Sequence, residues 1–382
     1  MSDATEKRIL AAPGAQRSQA VLLAVASLLT GGAERMVSEL ARAWAELARP
    51  VSVLTLSGSR SDHYGLHPAV RRIALDVVGD SATRWQAVVA NIHRGRTVRG
   101  AVRRMRPDVV VSFVDRTNTL LLAALIGTGI PVIACERTDP RRRQPARVWD
   151  GARRLLYPRA AAVVVQTEAV AGWAKAFVPA RKVHVIPNFV RELPAPGPAG
   201  QRGASQILAV GRLGFEKGYD VLLHAFAASG LPARGARLTI LGEGPERAAL
   251  EALARRLGIA GAVSLPGVVA EPERWMARCA VFVLPSRFEG FPNALLEAMA
   301  MGCAVIAADC DSGPRHIVRD GTDGVLVPVE DVDALAAALV RLIEDAALRA
   351  RLGAAAVAVR ERFSKAAILR RWEAVIDAVA AR

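Results

Sequence analysis

The sequence predicts an α/β protein made of two Rossmann-like, doubly wound domains in tandem. Three observations predict it. Short apolar runs alternate with segments of helical period, the pattern of a parallel sheet covered on both faces. The alternation stops near the midpoint, in a stretch rich in Pro and Gly, and then restarts. Glycine-rich turns follow several of the apolar runs directly, where a strand hands over to a helix. Ligands of such sheets bind beyond the carboxyl ends of the strands, so two such domains facing each other would share a central cleft.

In chain order, residues 1–17 mix charge, Gly and Pro without period and read as a flexible tail. The first domain is expected over 18–190. Its strands are expected at Val21–Ala26, Val51–Leu56, Val109–Phe113, Pro131–Cys135, Ala161–Val165 and Val183–Ile186, with helices at Glu34–Leu47, Arg84–Met105 and Asn118–Ile126 between them. Ala20–Leu29 follows Lys7, Arg8 and Arg17 and contains Ala24-Val25-Ala26, which mimics a signal peptide. It reads better as a buried strand running into Gly31-Gly32, because cleavage would remove a strand the fold needs. Thr117–Cys135 is apolar but carries Gly127, Gly129 and Pro131, and so reads as helix, turn and strand rather than a membrane span. Residues 191–203 form the linker, with Pro194, Pro196, Pro198, Gly197, Gly200 and Gly203. The second domain, 204–363, has strands expected at Gln206–Val210, Arg237–Leu241, Val263–Leu265, Val281–Leu284, Ala304–Ala307 and Val325–Val327.

Charge is distributed unevenly. The chain of 382 residues has a formal net charge of +15. Residues 1–190 hold 28 Lys+Arg against 14 Asp+Glu, whereas residues 191–382 hold 23 against 22. The excess concentrates in Arg94, Arg96, Arg99, Arg103, Arg104 and Arg106, and in Arg141, Arg142, Arg143, Arg147, Arg153 and Arg154. Such a half attracts polyanions, whether anionic lipid, phosphorylated substrate or nucleic acid, or else presents a solvated arginine-rich face. Low aromatic content, at 5%, and the lack of a nucleic-acid motif make nucleic acid the weakest of these partners. Four cysteines, Cys135, Cys279, Cys303 and Cys310, form no C-x-x-C pair, which fits a reducing cytosol and argues against a zinc site.

Four segments carry chemistry. Gly31-Gly32-Ala33-Glu34-Arg35 joins the first strand to the first helix and offers a tight turn and free N–H groups, or is only a turn. Gly211-Arg212-Leu213-Gly214-Phe215-Glu216-Lys217-Gly218 occupies the same place in the second domain and adds two cations. Cations near a helix start are disfavoured unless an anion joins them, and a diphosphate is such an anion. Leu241-Gly242-Glu243-Gly244-Pro245 is a further strand-to-helix loop that either lines a nucleotide pocket or is a plain turn, with Pro245 suited to the first helical position. In Pro285–Met299, Glu289 lies just past a strand, Gly290 and Pro292 shape a turn, and Glu297 falls within the following apolar helix. Carboxylates of this kind accept hydrogen bonds from sugar or ribose hydroxyls, and one surrounded by Leu296, Ala298 and Met299 needs a buried partner.

With these segments the chain resembles glycosyltransferase family 4, the retaining enzymes of GT-B fold, from about residue 20 onward. The matching pieces are Gly31–Arg35, Gly211–Lys217, Leu241–Pro245, the E-x7-E pair Glu289 and Glu297, and Asp320-Gly321 with Gly324-Val325-Leu326-Val327-Pro328. The resemblance implies a hexosyltransferase-type enzyme whose C-terminal domain binds a nucleotide-sugar, UDP-sugars being favoured, and whose N-terminal domain binds the acceptor. It implies that Arg212 and Lys217 neutralise the leaving diphosphate, that Glu289 meets the donor sugar and that Glu297 holds the ribose. Backbone N–H groups around Phe291, Pro292, Asn293 and Ala294, beside Gly211, Gly242 and Gly290, would touch phosphates or sugar, and Gly31 and Gly32 would let the first loop close. It implies no cofactor and no metal, and a last helix, about Lys365–Ala380 within 364–382, that crosses back to the first domain. Fixed cations stabilise charge that develops on the diphosphate in the transition state, which agrees with those roles.

Two departures stand out. Many relatives carry a His after the strand at Pro131–Cys135, where this chain has Glu136 and Arg137, either of which would take over positioning of sugar or acceptor. Relatives often place Glu at the fourth position of Gly313-Pro314-Arg315-His316. Asp309-Cys310-Asp311 and Asp331-Val332-Asp333 read D-x-D, but short motifs mean little outside their context, and no metal site is expected. Three functions are weighed on this basis. The first is transfer to a lipid-linked or envelope saccharide at the cytoplasmic face of a membrane, with the basic half against anionic lipid. The second is a soluble transferase or phosphorylase using a small acceptor such as a sugar phosphate. The third is a nucleic-acid-binding protein.

Overall fold

A computed structural model describes residues 19–29, 31–59, 62–79, 84–142, 147–196, 203 and 205–381. The expected tail, residues 197–202 of the linker, Arg143 and the side chain of Arg147 lie outside the described residues. The described residues fall into two compact units, one from Met1–Pro187 with Ala366–Arg382 and one from Asn188–Lys365.

The first unit holds strands β1 (Val21–Val25), β2 (Val51–Thr55), β3 (Arg71–Ala74), β4 (Val109–Phe113), β5 (Val132–Cys135), β6 (Ala162–Val165) and β7 (Val183–Val185). Its helices are α1 (Gly32–Glu46), α2 (Arg84–Met105), α3 (Asp115–Ala124), α4 (Arg147–Leu156) and α5 (Glu168–Lys175). The sheet is parallel throughout, in the order β3-β2-β1-β4-β5-β6-β7. Leu23 stands opposite Val53 on one side and Val111 on the other. Every residue of β1, β4, β5 and β6 is buried, which is why those runs read as continuous apolar stretches and not as alternating ones.

Side chains of α2, α3 and α5 (Val98, Val102, Leu121, Leu122 and Val170) join Val110 and Tyr157 in one core on one face. Strand geometry turns Phe113 to the opposite face from Val110. There it lies 6.3 Å from Trp372, whose ring meets Trp44 of α1 edge-on, also at 6.3 Å.

The second unit holds β8 (Gln206–Val210), β9 (Arg237–Leu241), β10 (Val263–Gly267), β11 (Val281–Leu284), β12 (Ala304–Ala308) and β13 (Val325–Val327). Its helices are α6 (Tyr219–Ala228), α7 (Arg247–Arg256), α8 (Pro272–Met276), α9 (Asn293–Ala300), α10 (Pro314–Ile317), α11 (Val332–Glu344), α12 (Ala346–Ala356) and α13 (Val359–Arg362). The sheet is again parallel, in the order β10-β9-β8-β11-β12-β13. Ile207, Ala209, Val281 and Val283 enter one core with α6 and α11, while Leu208, Phe282 and Leu284 enter another with α9 and α13. Both faces of this sheet are therefore covered.

The last helix, α14 (Lys365–Ala380), begins at the boundary between the units and packs within the first. Besides Trp372, it places Glu373 against Arg49, and Arg371 donates to the Val185 carbonyl. Among the described residues no helix is long and apolar enough to cross a membrane.

Three expectations are corrected. Strand β3 is absent from the sequence reading, because Arg71 and Arg72 break the apolar run. It sits at the sheet edge, where only Ile73 reaches the core. Helix α3 starts at Asp115 and ends at Ala124, earlier at both ends than expected. Pro245 does not open a helix: a turn intervenes and α7 begins at Arg247.

Candidate active site

In the second sheet the strand order reverses between β8 and β11, and a doubly wound sheet receives its ligand at that place. The chain leaves β8 through Gly211–Gly218 and β11 through Pro285–Pro292, so these two loops flank the reversal. Lys217 from the first loop pairs with Glu289 from the second, Nζ to Oε1 2.6 Å. The side chains are 19% and 10% exposed, so the pair is largely removed from water. Ser286 donates its hydroxyl to the same oxygen at 2.7 Å, which fixes the carboxylate. Arg212 pairs with Glu216 at 2.7 Å but is 65% exposed, and its guanidinium changes partners at little cost.

Gly218 makes the approach of the two loops possible. It takes the left-handed conformation at φ 62°, and a Cβ there would overlap the Pro285 carbonyl oxygen. Gly242 does the same for the neighbouring loop: its φ is 141° and a Cβ would overlap the Gly211 carbonyl. Beneath Gly211 lies Tyr219, which is 2% exposed, with a hydroxyl that makes no hydrogen bond among the described residues. Burial, then the Glu289 and Glu216 carboxylates, raises its pKa well beyond the ordinary phenol value. Arg287 ties the loops together from below. It bonds Asp220 at 2.7 Å and Glu330 at 2.6 Å and stacks on Phe215 at 4.2 Å. Burial pushes the Asp220 carboxyl up, but the hydrogen bonds and charge of Arg287 outweigh it and hold the carboxyl below its usual value.

Helix α9 carries Glu297 inward, and its side chain is 6% exposed. Its partner is Arg191, Nε to Oε1 3.4 Å, and Arg191 also binds Glu273 at 2.7 Å. Burial alone would lower the Arg191 pKa, but these two carboxylates raise it. Asn188 braces the start of the helix by donating to the Phe291 carbonyl at 3.2 Å and to Asn293 Oδ1 at 2.6 Å. Gly290, Phe291 and Pro292 are buried, and Asn293 and Ala294 are partly exposed at the helix entrance. The second unit thus brings together Gly211, Arg212, Lys217, Gly242, Glu289 and the Gly290–Ala294 turn.

Neither D-x-D pair resembles a metal cradle. Arg315 pairs with Asp309 at 2.8 Å and Asp311 at 3.7 Å, while Asp331 caps α11 by accepting from the Ala334 N–H at 2.8 Å. Among the described residues there is no cluster of three or more metal-ligating side chains.

Gly31, Gly32, Glu136 and Arg137 belong to the first unit. Gly31 is extended (φ −176°, ψ 159°) and Gly32 opens α1, so the tight turn expected there is not formed. What glycine provides at 31 is room, since a Cβ would overlap the Glu34 carboxylate. Glu136 is 2% exposed and its Oε1 accepts from Tyr157 and, at 3.3 Å, from Arg153. Asn118 completes the network with a 3.0 Å bond to the Tyr157 hydroxyl. Burial raises the Glu136 pKa, and Arg153 and Tyr157 oppose it. Glu136 is thus tied through Oε1 to α4 and Tyr157 within the first unit. Arg137 is half-buried over the Phe113 ring at 5.3 Å, and burial brings its pKa down to about 10.

Comparison with known proteins settles the family. Residues 31–188 match the model of the glycosyl transferase 4-like domain, and residues 204–345 match that of the glycosyl transferases group 1. The chain belongs to glycosyltransferase family 4. This transferase is 28% identical over 330 residues to an N-acetyl-D-galactosaminyltransferase of Campylobacter jejuni, covering 86% of this chain and 90% of that one. The Campylobacter enzyme is named for a saccharide acceptor on PP-undecaprenol. An exopolysaccharide phosphotransferase of Streptomyces coelicolor is 32% identical over 288 residues, 74% of this chain but 30% of that longer protein. The structure of the Anabaena protein Alr3699/HepE with UDP and glucose superposes with a TM-score of 0.77 at 18% identity, over 94% of this chain and 99% of that one, which establishes the GT-B fold.

Sequence reasoning missed several residues of the candidate site. Arg191 was assigned to the linker, because Pro194 and Pro196 follow it closely. The apolar setting of Glu297 was the only signal that a buried cation had to exist. Asn188, Tyr219 and Arg287 carry no motif, since their roles depend on contacts between separate loops. The basic surface is also smaller than the arginine count implies. Arg153 is buried, Arg94 binds the Val77 and Gly79 carbonyls, and Arg99 binds those of Ala124 and Ile126.

Proposed function

We propose that the enzyme transfers a sugar, with retention of anomeric configuration, from a nucleoside-diphosphate donor to a saccharide acceptor in cell-envelope polysaccharide or glycolipid synthesis. UDP is the favoured nucleotide and a lipid-linked saccharide the favoured acceptor. The observation that carries this reading is the Lys217–Glu289 pair at the strand-order reversal of the second sheet. A cation and a carboxylate side by side suit a ligand with a diphosphate at one end and hydroxyls at the other. When donor binds, Lys217 and Arg212 turn to the diphosphate and Glu289, still held by Ser286, accepts from the sugar hydroxyls.

The bond from the anomeric carbon to the diphosphate oxygen breaks with both electrons going to oxygen. The acceptor hydroxyl oxygen bonds the same face of that carbon, and its proton passes to the departing phosphate. Charge accumulates on the diphosphate along this path, so fixed cations favour the transition state over the ground state. Glu297 holds the ribose, and Arg191 pairs with its carboxylate. No metal or cofactor is assigned a step. The names of the Campylobacter and Anabaena proteins support the acceptor and donor classes, and the basic first half supports work at the cytoplasmic face of a membrane.

Calorimetric titration with UDP, GDP and ADP in EDTA tests the reading, using wild type, Lys217→Ala and Glu297→Ala. One diphosphate binding without metal, weakened in both variants, is the expected result. Absence of binding with and without magnesium would overturn it. A free sugar phosphate serving as acceptor as well as lipid-linked material would move the enzyme to the small-acceptor class.

A further inference from the structure

We infer that the outer face of α2 and α4 is a docking surface for an anionic lipid bilayer, which gives the membrane association proposed above a specific site. Helix α2 has six arginines and no Asp or Glu. At 100° per residue, Val89, Ile92, Arg96 and Arg103 lie within an arc of about 60°. The buried Val98, Ala101 and Val102 occupy the opposite side, so the stripe faces water. Val89 and Ile92 are 48% and 50% exposed, and Arg96 and Arg103 are exposed as well.

Helix α4 adds aliphatic side chains to this surface without arginines on the same stripe, since Arg153 is buried and Arg154 pairs with Asp150. Val148 and Leu155 are two turns apart on one face and 72% and 62% exposed. Helix α3 packs against both α2 and α4, so the two stripes belong to one layer on one face of the sheet. Large aliphatic side chains exposed to this extent on neighbouring helices are unfavourable in water, and the arginines around them set the sign of the partner. Helices lying in the plane of a bilayer surface have this composition: aliphatic tips reach the acyl boundary while arginines meet anionic head groups. Duplex nucleic acid would use the arginines but leave the aliphatic tips in water, and charge complementarity alone would not explain them.

Helices of a right-handed crossover run against their strands. The N-terminal ends of α2 and α4, with Val89, Ile92 and Val148, therefore lie towards the edge of the sheet where ligands bind. A bilayer seated there would present a lipid-linked acceptor to the binding edge of the first unit.

The test is flotation of the full-length enzyme with phosphatidylcholine vesicles containing or lacking phosphatidylglycerol, at low and high salt. Wild type, Arg96→Gln/Arg103→Gln and Ile92→Ser/Val148→Ser are compared, with circular dichroism to confirm folding. Wild type should float with the anionic vesicles and lose binding as salt rises. Each arginine should contribute about fivefold at low salt, so the paired substitution should weaken binding about 30-fold. The serine pair, which leaves the charge unchanged, should abolish flotation with anionic vesicles at low salt, which a purely electrostatic contact would not predict. Equal binding to neutral vesicles, or no effect of either pair, would overturn the proposal. So would binding to duplex DNA with no binding to vesicles. UDP titration of the same proteins separates the two readings. Loss of flotation with UDP binding intact counts against the surface alone, and absence of UDP binding with flotation intact counts against the donor site alone.

Discussion

Gly218 is the position where sequence, backbone and site chemistry can be tested by one methyl group. It is left-handed, and a Cβ there would overlap the Pro285 carbonyl oxygen, a backbone atom with no rotamer to change. Gly218→Ala carries two costs. Placing alanine in the left-handed region costs about 1 kcal/mol. Moving the β11–α9 loop away from the methyl costs about 1–3 kcal/mol more, as for other overpacked sites. The total is about 2–4 kcal/mol for the unit that contains Asn188–Lys365. Gly230 supplies the control, because it is also left-handed, at φ 68°, but a Cβ there meets nothing within 4 Å. Gly230→Ala should cost only about 1 kcal/mol.

Urea denaturation of both variants measures the difference, with the transition of each unit followed separately, since two units need not unfold together. The displaced loop also carries Glu289, whose partner Lys217 precedes Gly218 directly. Gly218→Ala should therefore weaken UDP binding at least tenfold (about 1.4 kcal/mol), while Gly230→Ala leaves it unchanged. If the two variants were equally stable and bound UDP equally well, the idea that loop proximity at the strand-order reversal builds the site would be wrong.

Other consequences follow from the same contacts. Glu297→Ala leaves Arg191 with Glu273 as its remaining carboxylate partner and should destabilise the second unit by about 2–3 kcal/mol in denaturant melts, as when a buried pair loses one partner. Trp372→Ala empties the space between Trp44 and Phe113 and should cost the first unit about 3–5 kcal/mol, detectable as early loss of α14 protection in hydrogen exchange. All four cysteines are buried, and burial pushes the Cys310 thiol up to about 12, so at pH 8 the native enzyme should resist an aromatic disulfide reagent that titrates four thiols after unfolding.

Much of the fold is legible in the sequence because central strands of a parallel sheet are buried on both faces. Val21–Val25, Val109–Phe113 and Val281–Leu284 stand out as apolar runs for that reason. Strand β3 is illegible for the same reason inverted: at the edge, Arg71 faces water, Arg72 pairs with Asp62, and only pairing with β2 makes the segment a strand. The site divides in a similar way. Glycine loops and the Glu289–Glu297 spacing are local and can be read from neighbours in sequence. Arg191, Asn188 and Tyr219 act through contacts with residues far away in the chain, and no local pattern marks them. Glu136 belongs with these, since a carboxylate beside a strand end reads as open in the sequence while Tyr157 and Arg153 both donate to its Oε1.

The pairing of every site cation with an acid bears on how a donor would bind. Arg212 with Glu216, Lys217 with Glu289 and Arg191 with Glu297 are each satisfied within the second unit. A diphosphate entering such a site exchanges ion pairs instead of filling an uncompensated positive pocket. The exposed Arg212 pair, screened by water, contributes little and yields readily. The largely buried Lys217–Glu289 pair costs more to part, unless each member gains a new partner in the same event. A nucleotide-sugar provides both, a phosphate for Lys217 and hydroxyls for Glu289, whereas a free diphosphate provides only the first. On the proposed reading the intact donor should therefore bind more tightly than UDP, and Glu289→Gln, which weakens the hold on Lys217, should narrow that difference by improving UDP binding while impairing donor binding. Calorimetry with UDP and a UDP-sugar decides it. If Glu289→Gln weakened both ligands alike, the pair would be a fixed part of the scaffold and the exchange would not occur.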